Sequence, residues 1–143
     1  MDMEKDKKTK ITIEATVEAP AKTVWKLWTT PEDIIKWNSA SDDWHTTRAE
    51  NNLRKGGKFV SRMEAKDGSM GFDLSGVYDV VIPNTRIAYT LEDDRKVDIH
   101  FEDNGEETHI TQTFEAESEN PVDMQRDGWQ AILNNFKKYA QEH

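Results

Sequence analysis

The chain contains no cysteine, and this absence excludes a disulfide framework, a thiolate nucleophile and a cysteine-ligated zinc site. No apolar run approaches the roughly 20 residues that a membrane-spanning helix requires, and no apolar stretch near the N-terminus resembles a signal peptide. Basic residues are outnumbered, at 19 Lys and Arg against 28 Asp and Glu, for a net charge of −9. Binding to nucleic acid or to anionic membranes needs the opposite balance. We therefore expect a cytoplasmic protein that neither binds nucleic acid nor inserts into membranes.

Motifs for nucleophilic catalysis and phosphate binding are also missing. The sequence has no Gly-x-Ser-x-Gly segment and no serine with an evident histidine partner. Gly56-Gly57 precedes a predicted strand rather than a helix, which favours a turn or bulge over a phosphate-binding loop. We predict no catalytic residue, no metal and no cofactor. Acid–base catalysis in a cavity stays open, because an inward carboxylate or histidine would be enough for it.

The length of 143 residues suits a single domain, since a core of this size buries roughly 70% of the unfolded chain's surface. Residues 1–9 form a charged leader without periodicity and are predicted to be disordered. Residues 10–143 are predicted to form the domain. The unusual feature of this hydrophilic chain is its five tryptophans.

Hydrophobic periodicity predicts an α+β fold. Residues 10–19 alternate as a half-buried strand, and two short helices follow, with Pro20 and Pro31 in their first turns. A weak strand over residues 44–51 precedes a meander of five strands from residue 58 to residue 117. A long helix with an apolar stripe closes the chain. We expect a curved antiparallel sheet of about six to seven strands wrapped on this C-terminal helix.

The strand pattern also predicts which residues share a face. Asp67-Gly68 is a two-residue turn candidate that places Met63 opposite Phe72. The inner face then collects apolar and aromatic side chains, and it includes Val80 and Ile82 farther along the next strand. A one-residue slip would exchange the two faces, so the register is well specified.

Asn104-Gly105 is a second turn candidate, and it would place His100 directly opposite His109. Asp98 lies two residues from His100 on the same face. Two histidines and a carboxylate could bind a metal. That face is the polar, outward one, which lacks the surrounding hydrogen bonds that metal sites need. Exposed cross-strand pairing is therefore the favoured interpretation.

The predicted inner face combines aromatic walls with a few polar groups. Ser61, Gln112, Tyr78 and Tyr89 each need a hydrogen-bond partner if buried, and Gly76 leaves a bare patch in a central strand. This composition is typical of a small-molecule pocket, although a filled core satisfied by water or backbone is the alternative. The predicted cavity lining is Trp37, Trp44, Phe59, Ser61, Met63, Phe72, Leu74, Gly76, Tyr78, Tyr89, Phe101, Gln112, Trp129, Leu133 and Phe136.

The opening of this cavity is expected near residues 37–44, where tryptophans flank a polar segment. Arg48 lies on the weak second strand, and in one register it would face inward and orient an acidic or carbonyl group. In the other register it is a surface arginine.

Short motifs along the chain resemble those of one known family. They are Ala19-Pro20, Val24-Trp25, Thr30-Pro31-Glu32 and Trp37, followed by 54–59, Asp67-Gly68, 76–78, 86–90, 108–111 and 127–129. Their order and spacing are similar to the AHSA-like family, the homologues of the activator of the ninety-kilodalton heat-shock protein ATPase. This family lies within the START-like (SRPBCC, Bet v-like) helix-grip superfamily, and the resemblance covers roughly residues 10–140.

The resemblance implies a helix-grip fold with a cavity between the sheet and the long helix, suited to apolar ligands and without a fixed catalytic set. The chain departs from the family after Trp37. Residues 38–41 are Asn-Ser-Ala-Ser, where the family often has a second aromatic and a Gly-Pro pair. This predicts a more polar cavity mouth.

Our leading hypothesis is non-catalytic binding of a small apolar or amphipathic molecule in this cavity. The first alternative is a cyclase- or hydrolase-type enzyme that uses the same space. The second is a co-chaperone-like module that presents its acidic surface or its loop tryptophans to a protein partner. An inward carboxylate or histidine would favour the enzyme, and a solid core with exposed tryptophans would favour the partner module.

Overall fold

The computed structural model of the chain describes residues 9–142. Residues 1–8 of the predicted leader lie outside this range, and the backbone oxygen of Thr9 accepts a hydrogen bond from the backbone N–H of Ala116 at 2.7 Å. The elements in chain order are β1 (Lys10–Val17), α1 (Ala21–Thr29), α2 (Pro31–Trp37), β2 (Trp44–Asn51), β3 (Lys58–Ala65), β4 (Gly71–Ile82), β5 (Arg86–Leu91), β6 (Lys96–Asp103), β7 (Thr108–Glu115) and α3 (Val122–Gln141).

All seven strands form one antiparallel sheet in the order β1-β7-β6-β5-β4-β3-β2. The sheet curls into a half-barrel around α3, and the two short helices follow β1. The predicted α+β helix-grip architecture is therefore confirmed. No helix among residues 9–142 is both long and apolar enough to cross a lipid bilayer.

The β3–β4 hairpin has the predicted register. Met63 lies opposite Phe72. The turn itself is wider than predicted, because the backbone N–H of Ala65 donates to the oxygen of Met70 at 2.9 Å and leaves residues 66–69 as the loop. Gly68 has a φ of +78°, a left-handed conformation that glycine adopts without a steric penalty.

The predicted β6–β7 register is wrong by two residues. The backbone N–H of Asn104 donates to the oxygen of Glu107 at 3.0 Å, so the two central turn residues are Gly105 and Glu106. Gly105 has a φ of +88°, as the first central residue of a type II′ turn requires. A turn displaced by one residue shifts the pairing by two, and a two-residue shift leaves every side chain on its predicted face.

The β4 strand contains an irregularity that changes which residues face inward. Tyr78 pairs with Tyr89, but the next pair is Val80 with Ala88, so Asp79 is an extra residue. A bulge of this kind reverses the alternation beyond it. Val81 therefore packs against the core, and the prediction that Val80 and Ile82 face inward is wrong.

The long helix buries the predicted apolar stripe. Leu133, Phe136 and Ala140 are almost fully buried, at the spacings of three and four expected of one helical face. The helix packs mainly against β1, with further contacts to α1 and α2. This placement leaves the β3–β4 side of the inner face less covered than the β1 side.

Candidate functional site

Side chains from the helices fill one side of the space between sheet and α3. The ring of Phe101 meets those of Trp25 and Trp28 edge-on, each with ring centroids 5.6 Å apart. Trp28 also meets Phe136 at 4.7 Å, and Leu133 is buried nearby in the same cluster. We call this region, defined by Trp25, Phe101, Leu133 and Phe136, the filled half.

The other side of the same space is hollow. A cavity of about 220 Å³ lies between α3 and the inner faces of β3, β4, β5 and β7, with α2 along one side. Its walls are largely aromatic and aliphatic. We call this cavity with its lining the hollow half.

Ten of the fifteen side chains predicted for the cavity do line it. They are Trp37, Phe59, Ser61, Met63, Phe72, Leu74, Tyr78, Tyr89, Gln112 and Trp129. Most lie at alternate positions of β3, β4, β5 and β7, where the alternation of apolar and polar residues in the sequence predicts inward-facing side chains.

The remaining five predicted residues lie elsewhere. Phe101, Leu133 and Phe136 belong to the filled half, where α1 covers them. Gly76 lies under the ring of Phe59, which would be only 3.0 Å from a β-carbon at that position. The bare patch is thus occupied by a neighbouring side chain. Trp44 packs against Phe72, with ring centroids 5.9 Å apart.

Five further residues line the cavity but are not predicted from the sequence to do so. They are Trp28, Ile34, Asn38, Ile87 and Ile132. Ile87 lies on the predicted inner face and Ile132 on the predicted helical stripe, so their periodicity contained the necessary signal. The other three belong to α1, α2 and the residue after α2. Their position depends on how the short helices dock, which periodicity does not specify.

Two successive hydrogen bonds connect Tyr78, a polar residue of the cavity wall, to the backbone of α1. The hydroxyl of Tyr78 donates to Oδ1 of Asn51 at 2.6 Å, and Nδ2 of Asn51 donates to the backbone oxygen of Thr29 at 2.7 Å. Burial raises the pKa of Tyr78 above its usual value, and burial likewise raises the pKa of Tyr89. Both phenols are therefore protonated and uncharged at neutral pH.

The two most buried of the other polar side chains in the wall have no such partner. Gln112 is 6% exposed and Ser61 is 7% exposed, and both line the cavity. Neither the amide of Gln112 nor the hydroxyl of Ser61 makes a side-chain hydrogen bond within residues 9–142, and neither is a fully buried atom, since among these residues only Oγ of Ser75 is both buried and unpartnered. These groups are open to a molecule that enters the cavity.

The rim on the α2 side is fixed by contacts from α3. Asn135 donates through Nδ2 to the backbone oxygen of Ser39, and the hydroxyl of Tyr139 donates to Asp33 at 2.5 Å. Burial and this hydrogen bond raise the pKa of Tyr139 to about 12. Phe72 lies at the opposite rim and is 47% exposed.

Two larger depressions are more open and more polar. One, of about 310 Å³, adjoins the cavity at Trp37, and its wall includes Ser39, Ser41 and Asp42. The other, of about 450 Å³, lies on the outer face of the sheet. Its wall includes Arg86 and Asp98, which neutralise each other through hydrogen bonds of 3.0 and 2.8 Å. We assign the candidate site to the smaller cavity because its walls are the most apolar of the three, and predominantly apolar walls with a few polar groups are typical of small-molecule sites.

The arrangement considered for a metal does not form. His100 lies opposite Thr111 instead of His109, and His109 contacts Glu14 at 2.8 Å. Residues 9–142 contain no group of three metal-ligating side chains. The side chain of Arg48 is exposed and pairs with Glu50, so the inward register considered for it is not observed.

Comparisons with known proteins place these features in context. Residues 18–141 match the family described as Activator of Hsp90 ATPase homolog 1-like protein. No curated protein matches the chain. The solution structure of an AHSA1-like protein from Aeromonas hydrophila is 42% identical, with a TM-score of 0.88 over 94% of this chain and 93% of that one.

Two further solved structures are similar. The solution structure of a protein from Cytophaga hutchinsonii is 50% identical, with a TM-score of 0.81 over 93% of this chain and 92% of that one. The crystal structure of a protein from Chromobacterium violaceum is 20% identical, with a TM-score of 0.83 over 93% and 98% of the two chains. At this lower identity, the likeness concerns the fold alone.

Proposed function

The chain belongs to the Activator of Hsp90 ATPase homolog 1-like family, as its motifs predict, and we propose that it binds a small hydrophobic molecule in the cavity of the hollow half. Binding in this proposal is non-catalytic and takes place in the cytoplasm. The observation that carries it is an apolar-walled space of about 220 Å³ between the sheet and α3.

The size of this space supports a ligand rather than a packing defect. Protein interiors are close-packed, and voids larger than a water molecule are few and destabilising. An engineered apolar cavity of about 150 Å³ binds benzene. A volume of about 220 Å³ therefore suits one ring with short substituents or two fused rings.

The lining of the cavity supports binding over acid–base catalysis. Among residues 9–142, no carboxylate, imidazole, amine or guanidinium belongs to it. The two tyrosines have raised pKa values because of burial, so they do not accept a proton at neutral pH. The described lining of this space therefore lacks the usual general bases that a cyclase or hydrolase would use near neutral pH.

A protein-binding role through the loop tryptophans has less support. Trp37 is buried, and its indole N–H donates to the backbone oxygen of Leu27 at 3.0 Å. Trp44 is partly covered and packs against Phe72. Neither ring is presented freely to a partner.

Native mass spectrometry of the protein purified from cells tests this proposal. We expect wild-type protein to carry a small bound mass. Ser61→Leu, which places a larger side chain in the cavity wall, should lack this mass. Ser118→Leu is the matched control, because Ser118 is exposed in the segment before α3, and it should retain the bound mass. The proposal is wrong if wild type carries no bound molecule and a screen of apolar compounds leaves its melting temperature unchanged.

A further inference from the structure

Gln112 interrupts an otherwise apolar row on β7. Its inward neighbours along the strand, Ile110 and Phe114, are fully buried. Gln112 itself is only 6% exposed. Glutamine offers two amide N–H donors and one carbonyl acceptor. None of them pairs with residues 9–142.

Ser61 repeats this situation on the opposite arm of the sheet. It lies on β3 opposite Leu74, it is 7% exposed, and its hydroxyl has no partner among the described residues. A buried polar group without a partner is costly, and most such groups in folded proteins are paired. Among residues 9–142, Oγ of Ser75 is the one side-chain polar atom that is fully buried without a partner, so the polar atoms of Gln112 and Ser61 are accessible from the cavity that both residues line. An occupant of this cavity can therefore supply their hydrogen-bond partners.

The electrostatic character of the cavity restricts that occupant further. Its described lining contains no charged side chain. An ionised group transferred into such a site would lose its hydration without gaining an opposite charge. An uncharged hydroxyl or carbonyl, in contrast, can pair with an amide or a serine hydroxyl at full hydrogen-bond strength.

We propose that the ligand is an uncharged compound of one ring or two fused rings that bears a hydroxyl or carbonyl group, and that Gln112 and Ser61 hydrogen-bond this group inside the cavity. The inference rests on the proposed function, and it assigns the two side chains the role of selecting the ligand's polar group. A ligand whose anionic group is buried within this lining is excluded by the inference, because the described lining has no charged side chain.

Calorimetric titration at pH 7 with three ring-matched probes tests the inference. Naphthalene presents the rings alone, 2-naphthol adds an uncharged hydroxyl, and 2-naphthoate adds a negative charge. We expect 2-naphthol to bind about tenfold more tightly than naphthalene, the effect of one buried hydrogen bond. We expect 2-naphthoate to bind more weakly than either.

Gln112→Met removes the amide while keeping an unbranched side chain of similar length. In this variant, the preference for 2-naphthol over naphthalene should fall to about threefold or less. Gln130→Met is the matched control, since Gln130 lies on α3 outside the cavity and bonds to Glu14 and Asn134, and it should keep the full preference. Ser61→Ala should show a smaller loss than Gln112→Met.

The outcomes separate the two proposals. If none of the three probes binds wild type, the inference is overturned, and the proposed function fails with it if native mass spectrometry also finds no bound molecule. If naphthalene binds as tightly as 2-naphthol, or if 2-naphthoate binds best, the cavity binds rings but the inference about the polar group is overturned. If Gln112→Met keeps the tenfold preference, the Gln112 amide does not hydrogen-bond to the hydroxyl of 2-naphthol. Water is then the hydrogen-bond partner of Gln112 and Ser61.

Discussion

The filled half and the hollow half of the space under the sheet are built from the same sequence pattern but differ in what covers them. Both are lined by inward residues of alternating strands. In the filled half, Trp25 and Trp28 of α1 reach Phe101 and complete a close-packed aromatic cluster. In the hollow half, α3 packs mainly against β1 and leaves the inner faces of β3 and β4 separated from it. The helices that pack over an apolar sheet face therefore determine whether it becomes part of the core or the wall of a cavity.

The largest expected effect comes from truncating an aromatic side chain in the filled half. Phe136 is fully buried and contacts Trp28 and Trp37 at ring distances of 4.7 and 4.9 Å. Phe136→Ala should lower the free energy of unfolding by about 3–5 kcal/mol, measured by urea unfolding. Phe72→Ala in the hollow half should cost about 1 kcal/mol or less, because that side chain is 47% exposed. Equal losses in the two variants would abolish the distinction between the halves.

Adding volume should change stability in opposite directions in the packed core and in the hollow half. Ala140 is buried on α3 in a packed part of the core, so Ala140→Leu should destabilise the protein by about 1–3 kcal/mol. Ser61→Leu fills empty space and removes an unpaired hydroxyl, so it should stabilise the unliganded protein by about 1 kcal/mol. Denaturant midpoints of both variants give the comparison. A clear destabilisation by Ser61→Leu would indicate that no usable space exists at that position.

Removing the amide of Gln112 should change stability and ligand binding in opposite directions. We expect Gln112→Met to raise the free energy of unfolding by about 1 kcal/mol while it weakens 2-naphthol binding, because the amide is unpaired in the absence of ligand. Gln130→Met should change stability by less than about 0.5 kcal/mol. Thermal unfolding with and without probe checks both. A loss of stability in Gln112→Met would assign the amide a structural role.

The smallest effect is expected on the outer face, away from both halves. Hydrogen bonds from Arg86 lower the pKa of the Asp98 carboxyl, so this group stabilises the protein above its unfolded-state pKa of about 3.9. This contribution is lost as pH falls through the lowered folded-state pKa. Asp98→Asn should lower the melting temperature slightly at pH 7 and not below that folded-state pKa. Binding of 2-naphthol at pH 7 should be unchanged, and a changed affinity would connect the outer face to the cavity.

The sequence predicts the fold well because side-chain alternation survives local errors. The predicted β6–β7 turn lies one residue before the observed one, yet Gln112 still faces inward because the two pairings differ by two residues. The bulge at Asp79 has a larger consequence, because one extra residue reverses the alternation of side chains beyond it. Val81 therefore faces inward in place of Val80 and Ile82. Nothing in the residues around Asp79 signals that extra position.

The candidate site was less predictable than the fold. Inward positions such as Phe59, Ser61 and Gln112 follow from strand periodicity. Whether they line a core or a cavity depends on the docking of α1 and α3, which is determined by the packing of whole elements. Periodicity therefore predicts Phe101 and Phe136 in the cavity lining, whereas tryptophans of α1 and α2 cover them in the structure.

The most direct test of the hollow half is an NMR measurement of where a bound ring lies. With methyl-labelled protein and 2-naphthol, we predict intermolecular nuclear Overhauser effects to the methyl groups of Leu74 and Ile132, which line the cavity. We predict none to Val24 or Leu133, which are fully buried in the core. Effects confined to outer-face methyl groups, or to the packed core, would contradict the account.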